Sequence, residues 1–324
     1  MISPVNNVFR SIHRLQQSSV DKLNILTLCR NNEKYIGILC KTNHNFYISN
    51  NHPWNNAIEN RPPNLHNLNL NSNSLDYIIC HDRAEQYEEA LKISRELHIP
   101  IIIIDMCSQS LIRPHHILEN LSIDNDSLQY RNSILRVAAT QHIEDSWNNN
   151  KVSCIIPLGI DVEKFKSEPS ATKECLISID NNTVSQVGGV ISHQLSNDYP
   201  NQIIPTDHDN LQNIAINKSR YFVNTYKTIT VKTLEAMSAG NVVICLKTED
   251  TENFIENKKT GILIDDITEL SNSIKFLEKS DSLRKEISDR ARKKIINEHS
   301  LDQFLSQWSF ALNNIKSVFY NSPI

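Results

Sequence analysis

The sequence predicts an α/β protein built as two doubly wound domains facing each other across a cleft. Short apolar runs alternate with amphipathic stretches almost throughout, the pattern of strand–helix–strand units around parallel sheets. A length of 324 residues suits two cores of ordinary size better than one. A polar, proline-containing break, KSEPSAT from Lys166 to Thr172, divides the alternation into two series and suits an interdomain linker. The expected domains are residues 1–165 and 166–324.

In the first series, strands are expected at Leu23 to Leu28, Asn45 to Ile48, Tyr77 to Cys80, Ile101 to Asp105, Ile134 to Ala138 and Ser153 to Ile156. Helices are expected near Glu33–Thr42, Arg83–His98, Leu111–Leu121 and Gln141–Asn148. The clearest helix starts at Arg83. It places Ala84, Tyr87, Ala90, Leu91, Ser94 and Leu97 along one face and stops before Pro100. The asparagine-rich tract Asn67 to Ser74 reads as a surface loop.

The second series has strands at Cys175 to Ile179, Gln202 to Ile204, Tyr221 to Asn224, Val242 to Leu246 and Gly261 to Ile264. Its helices fall near Val184–Leu195, Asn210–Asn217, Val231–Ala239, Glu252–Glu256, Ile267–Glu278, Ser282–Glu298 and Leu301–Phe319. In such sheets ligands bind outside the carboxyl ends of the strands. That points to the loops after Leu28, Asp105, Ile179 and Asn224.

Charge and cysteine usage narrow the function classes. Lys and Arg number 14 against 15 Asp and Glu over residues 1–160, and 19 against 22 over 161–324. Neither half is basic, so the footprint of a protein built for bulk nucleic acid or anionic membrane is missing. The seven cysteines are scattered singly with no C-x-x-C pair, as expected of free thiols in a reducing compartment. The N-terminus has no apolar signal core and the longest aliphatic run is Ile101 to Ile104. A cytoplasmic protein without a membrane span is the expectation.

The chemistry concentrates after Asn224. A strand ends there, a threonine-rich segment follows, and a helix starts near Thr230. Amides at a helix N-terminus form a ready phosphate site. Glu235 lies about one turn inside, beside the stripe Val231, Leu234 and Met237, so its carboxylate falls at the edge of the buried face. A carboxylate can accept two hydrogen bonds from a vicinal diol, which a nucleotide ribose presents. The plainer alternative is a helix glutamate paired with Lys232, three residues back.

The segment LEAMSAGNVVI, followed by ENFIENKKTGILID, resembles the donor-binding region of glycosyltransferase family 4. That family's pattern is E-x7-E, then A-(M/L)-(A/S)-x-G-x-P-V-(I/V), then a helix ending in N-x-x-x-G. Glu235 matches the second Glu, Gly240 the glycine ending the helix, and Gly261 the glycine before the next strand. IPLGIDVEKF resembles the N-G-V-D-x-x-x-F element that closes the first domain and supplies Gly159, Asp161 and Phe165. The run SDSLRKEISDRARKKIINEHSLDQFLSQW resembles the family's final helices. The first half is similar to a group of such enzymes often encoded by tailed phages, through NVFRSIHRLQ, KLNILTLCRNNEKY, KTNHNFY and YIICHDRAEQYEEALKISRELHIPII.

The resemblance implies a GT-B fold, two Rossmann-like domains facing across a cleft. The first is on the acceptor side, and the second binds the nucleotide-sugar donor, its last helix crossing back to the first domain. It implies a retaining, metal-independent glycosyltransferase with a nucleotide-diphosphate sugar as donor and a hydroxyl acceptor in a glycan, a lipid-linked sugar or a modified DNA base. Glu235 would bind the ribose, and the amides near Thr230, Val231 and Lys232 the diphosphate. Such an enzyme positions the acceptor and stabilises charge on the departing diphosphate.

Several positions depart from the family pattern. Lys227 stands where the first Glu is expected, Met106 follows Asp105 where many relatives have His, and Thr230 replaces the usual glycine before the donor helix. Cys29, Arg30, Asn31 and Asn32 occupy the glycine-rich turn after the first strand. The loop LISIDNNTVSQVGGVISHQL lacks the expected Arg and Lys, although Gly188 and Gly189 suit a close approach of backbone to ligand. Lys227 and Lys232, with Arg30 reaching from the other domain, are the expected replacements for that lost charge. The alternative is a degenerate GT-B protein that binds nucleotide or serves as scaffold for a partner, such as another glycosyltransferase subunit. Asp124 with Asp126, Asp207 with Asp209, and His115 with His116 read as chance polar pairs rather than metal ligands.

Overall fold

The computed structural model describes residues 22–28, 33–49, 53–56, 59–69, 74–81, 84–108, 134–147, 153–166, 177–179, 195, 197–199, 203–205 and 216–320. Strands β1 (Asn24–Leu28), β2 (Asn45–Ile48), β3 (Leu65–Asn67), β4 (Tyr77–His81), β5 (Ile101–Asp105), β6 (Ile134–Ala138) and β7 (Ser153–Ile155) form one sheet, ordered β3-β2-β1-β4-β5-β6-β7. A second sheet holds β8 (Ile177–Ile179), β9 (Ile203–Pro205), β10 (Tyr221–Asn224), β11 (Val242–Leu246) and β12 (Ile262–Ile264), ordered β12-β11-β10-β8-β9. Every pairing in both sheets is parallel. β4 and β5 are buried along their whole length, as strands covered on both faces must be.

Each sheet reverses its winding once. In the first, the chain steps outward through β2 and β3, then returns to place β4 on the other side of β1. In the second, β9 lies on one side of β8, and β10 starts the series on the other. These reversals are the switch points at which doubly wound sheets open a crevice. Helix α1 (Glu33–Leu39) follows β1 at the first switch point.

Further α-helices among the described residues are α2 (Ala84–Leu97), α3 (Gln141–Trp147), α4 (Val231–Ser238), α5 (Glu249–Phe254), α6 (Leu270–Glu278), α7 (Asp281–Glu298) and α8 (Leu301–Tyr320). α4 follows β10 at the second switch point. Helix α4 has defined ends. The Thr230 hydroxyl accepts from the Thr233 amide in a capping box. At the other end, Gly240 takes φ 78°, with Gly240 N–H on the Met237 carbonyl and Asn241 N–H on that of Ala236. This is a Schellman close, and it explains the glycine in SAGN.

Two elements differ from the sequence reading. β3 extends the first sheet by an edge strand with no counterpart in that reading, ending at Asn67 where the expected loop starts and held by Phe46–Leu65 and Tyr47–His66 pairing. α5 begins three residues early because Thr248 forms a capping box with Thr251. The expected helix at Leu111–Leu121 and most of that at Val184–Leu195 lie outside the described residues.

Two crossings tie the sheets together. Phe165 is buried, and its carbonyl accepts from Ser238 Oγ at 2.9 Å and Arg292 Nη1 at 3.1 Å. Ile160 N–H donates to the His299 carbonyl at 2.9 Å. The His299 Nδ1 lies 2.7 Å from the Leu158 carbonyl, and burial holds this imidazole below its ordinary pKa. Beyond it, α8 returns to the first domain. Phe304 and Trp308 both meet Tyr35 of α1 edge to face, and Trp308 Nε1 donates to the Tyr35 hydroxyl at 3.1 Å. One core cluster therefore runs from Leu23 to Leu312 across both sheets. No helix among the described residues is long and apolar enough to cross a membrane.

Gly159 marks the tightest point of this crossing, since a Cβ there would sit 2.2 Å from Phe304 Cβ. Gly159→Ala should therefore destabilise the fold by about 1–3 kcal/mol through overpacking. Urea unfolding should show a lower midpoint at unchanged slope. An unchanged midpoint would mean that α8 moves away freely.

Candidate functional site

Carboxyl ends of both sheets meet at the crevice. Glu235, one turn inside α4, is 5% exposed. Its partner is Lys34 of α1, whose Nζ lies 2.7 Å from Glu235 Oε2, and both side chains are at least nine-tenths buried. The bond joins the helix after one switch point to the helix after the other. Lys232, the partner suggested by helix spacing, is half-buried on the same helix.

Lys34 is held in place by its neighbours. Tyr35, Ile36 and Leu39 are buried in the common core, and burial raises the Tyr35 phenol well above its ordinary pKa, so it stays neutral under the Trp308 indole. On the other side, Thr233, Leu234, Ala236 and Met237 are fully buried, which fixes the rotation of α4 and hence the direction of Glu235.

A second belt of contacts closes the crevice beside this pair. Asp105, at the end of β5, is ion-paired with Arg136 of β6, and both are buried. The Arg136 guanidinium stacks 4.3 Å above the Trp147 ring, and Trp147 Nε1 donates to the Cys107 carbonyl at 3.1 Å. The loop after β5 is thereby fixed. It offers the Met106 carbonyl to Thr228 Oγ1 at 3.1 Å and the Ser108 amide to Asp250 Oδ2 at 3.2 Å. His142 of α3 approaches Asp250 Oδ1 at 3.4 Å and Glu249 Oε1 at 3.6 Å. Against this second belt lies a small cavity of about 30 Å³. Met106, Thr140 and Ile143 line it from the first domain, and Thr228, Asp250 and Phe254 from the second.

The loop before α4 is shaped by Asn224, whose Oδ1 accepts from Tyr226 N–H and whose Nδ2 donates to the Thr228 carbonyl. Lys227 at its tip is exposed, and its carbonyl accepts from Thr248 Oγ1 at 2.6 Å. Beneath it, burial pushes the Cys245 thiol up to about 12, which makes it an inert core residue. Arg30, Gly188 and Gly189 lie outside the described residues, as do His115, His116, Asp124, Asp126, Asp207 and Asp209.

The sequence brought forward Glu235, Thr230 and Val231, and the structure groups them on one helix start facing the first domain. It passed over Lys34, which reads as an ordinary residue near the start of a short helix. Its one sequence-level signal was its place in the first helix after β1. Asp250 and His142 were missed for the same reason, since only tertiary contact brings α3 and α5 together.

Comparison with known proteins gives this geometry a context. The family described as glycosyl transferase-like matches residues 201–309. No curated protein sequence matches the chain significantly. Among solved structures, sucrose-phosphate synthase from Thermosynechococcus elongatus superposes with a TM-score of 0.67 at 10% identity, over 91% of this chain and 99% of that one. HepE from Anabaena, crystallised with UDP, gives 0.64 at 13% identity over 90% and 100%. A glycosyltransferase from Rickettsia africae gives 0.63 at 15% identity over 94% and 100%. The chain has the GT-B fold, two parallel-sheet domains across a cleft.

Breaking the buried pair should be costly. Lys34→Met or Glu235→Met alone leaves a buried charge unmatched and should cost about 3–5 kcal/mol. Lys34→Met combined with Glu235→Met should cost less than the sum. Denaturant unfolding of the full cycle measures this, and strictly additive losses would contradict a direct pair.

Proposed function

We propose that this protein is a retaining, metal-independent glycosyltransferase that moves a sugar from a nucleotide-diphosphate donor to a hydroxyl acceptor. The carrying observation is Glu235, a buried carboxylate one turn inside the helix that starts at the second sheet's switch point and faces the other domain. A carboxylate so placed accepts from the two ribose hydroxyls, while the first amides of α4 meet the phosphates. The reading is supported by the glycosyl transferase-like match over this segment and by the shared fold of HepE, whose crystal structures hold UDP, UDP with glucose, or UDP-glucose.

In this reading residues 166–324 bind the donor, and residues 1–165 present the acceptor from the opposite wall. Retention needs little from a protein base. The acceptor hydroxyl is held on the leaving-group face of the sugar, and fixed donors and cations stabilise the departing diphosphate in a dry cleft. Val231 and Thr230 supply backbone at the phosphate end. Lys232, Lys227 and Arg30 supply charge around it, and Gly188 and Gly189 are the sequence's candidates for a close backbone approach.

A second reading has one specific observation behind it. Lys227, which stands at the position of the family's sugar-binding glutamate, is exposed, as suits a GT-B scaffold that binds nucleotide without turning it over. Release of free sugar or transfer to an acceptor separates the two, since the scaffold produces neither.

A thermal-shift screen with UDP, GDP, ADP and their sugars tests the donor site. One nucleotide should stabilise the protein, by about 2.7 kcal/mol at a hundredfold excess over Kd. Glu235→Ala should abolish that shift. No response to any of the nucleotides would overturn the proposal.

A further inference from the structure

The Lys34–Glu235 pair is poorly explained as a structural fastener. Two charges taken out of water cost more than they return unless geometry and hydrogen bonding are excellent, and an apolar pair of similar volume commonly joins two surfaces better. This surface already has apolar fasteners, in the packing of Phe304 and Trp308 on Tyr35. The pair also sits where the helices after both switch points converge, the place where doubly wound sheets bind ligands.

Chemistry of the two groups points the same way. A carboxylate has about four acceptor sites, so Glu235 can keep Lys34 on Oε2 and still accept from a diol. Lysine is a compact point charge with three donors on a flexible stem. Glu235 lies four residues beyond Val231, about 6 Å along the axis at about 1.5 Å per residue. The Lys34 ammonium, 2.7 Å from that carboxylate, is thus about one helical turn from the first amides of α4, where an anion would lie. By contrast, Lys227 is exposed at the loop tip.

We infer that Lys34, supplied by the first domain, binds the diphosphate of the nucleotide whose ribose lies on Glu235. This rests on the donor site proposed above. Because Lys34 belongs to one domain and Glu235 to the other, a nucleoside diphosphate bridges the crevice where a nucleoside alone contacts only the second domain.

The test compares UDP with uridine, GDP with guanosine and ADP with adenosine on the full chain, with affinities measured by ligand-observed NMR. Lys34→Gln should weaken diphosphate binding about tenfold or more and weaken nucleoside binding clearly less. Lys34→Arg should keep most of the diphosphate preference. Equal loss of both ligands, or no loss of either, overturns the role of Lys34. Glu235→Ala should weaken nucleoside and diphosphate together. If it weakens neither, the donor-site reading fails, and Lys34 with it. If Lys34→Gln does not fold, Lys34→His carries the same test. Its diphosphate preference should be present near about pH 5.5 and absent near about pH 8.5, and a preference constant across that range overturns the inference.

Discussion

A single buried ion pair, Lys34 to Glu235, marks the place where the ligand-binding ends of the two halves meet, and the rest of the structure holds it there. Each residue stands on the helix that follows a strand at its sheet's switch point. The 2.7 Å contact between them lies where the ligand-binding ends of both sheets converge. An electrostatic bond of this kind is worth having only when nearly dry and well aimed. The surrounding packing supplies both conditions. Tyr35 and Leu39 anchor one partner, and Leu234 and Met237 anchor the other.

Distance between the halves is set away from the pair, at the crossings. The chain leaves the first domain through Leu158 to Phe165, meets His299 and Arg292, and comes back through α8 to lay Phe304 and Trp308 on Tyr35. Gly159 keeps the crossing tight where Phe304 passes, because a Cβ there would lie 2.2 Å from Phe304 Cβ and force a shift. The same aromatic contact that closes the crossing also packs the residue next to Lys34. Crossing and site are therefore joined through α1, where Tyr35 meets α8 and Lys34 meets Glu235.

Much of this was legible in the sequence where local chemistry decides the outcome. Ile101 to Asp105 was bounded correctly because four isoleucines between Pro100 and a polar segment have few alternatives. The helix carrying Glu235 was legible because Thr230 caps it and Gly240 closes it. Capping also explains one miss, since Thr248 starts α5 three residues before the apolar pattern does. The edge strand Leu65–Asn67 was hidden in an asparagine-rich stretch, and it exists because Phe46 and Tyr47 offer a free edge to pair with. Glu235 could be found because helix periodicity places it. Its partner could not, because 201 residues separate the two in sequence. No periodicity links α1 to α4, and spacing alone favoured Lys232.

A crystal structure of the full chain with the nucleoside diphosphate that stabilises it most tests the central claim directly. The account predicts both ribose hydroxyls within about 3 Å of Glu235 and the diphosphate between the first amides of α4 and the Lys34 ammonium. A nucleotide bound elsewhere, or a ribose turned away from Glu235, would contradict it.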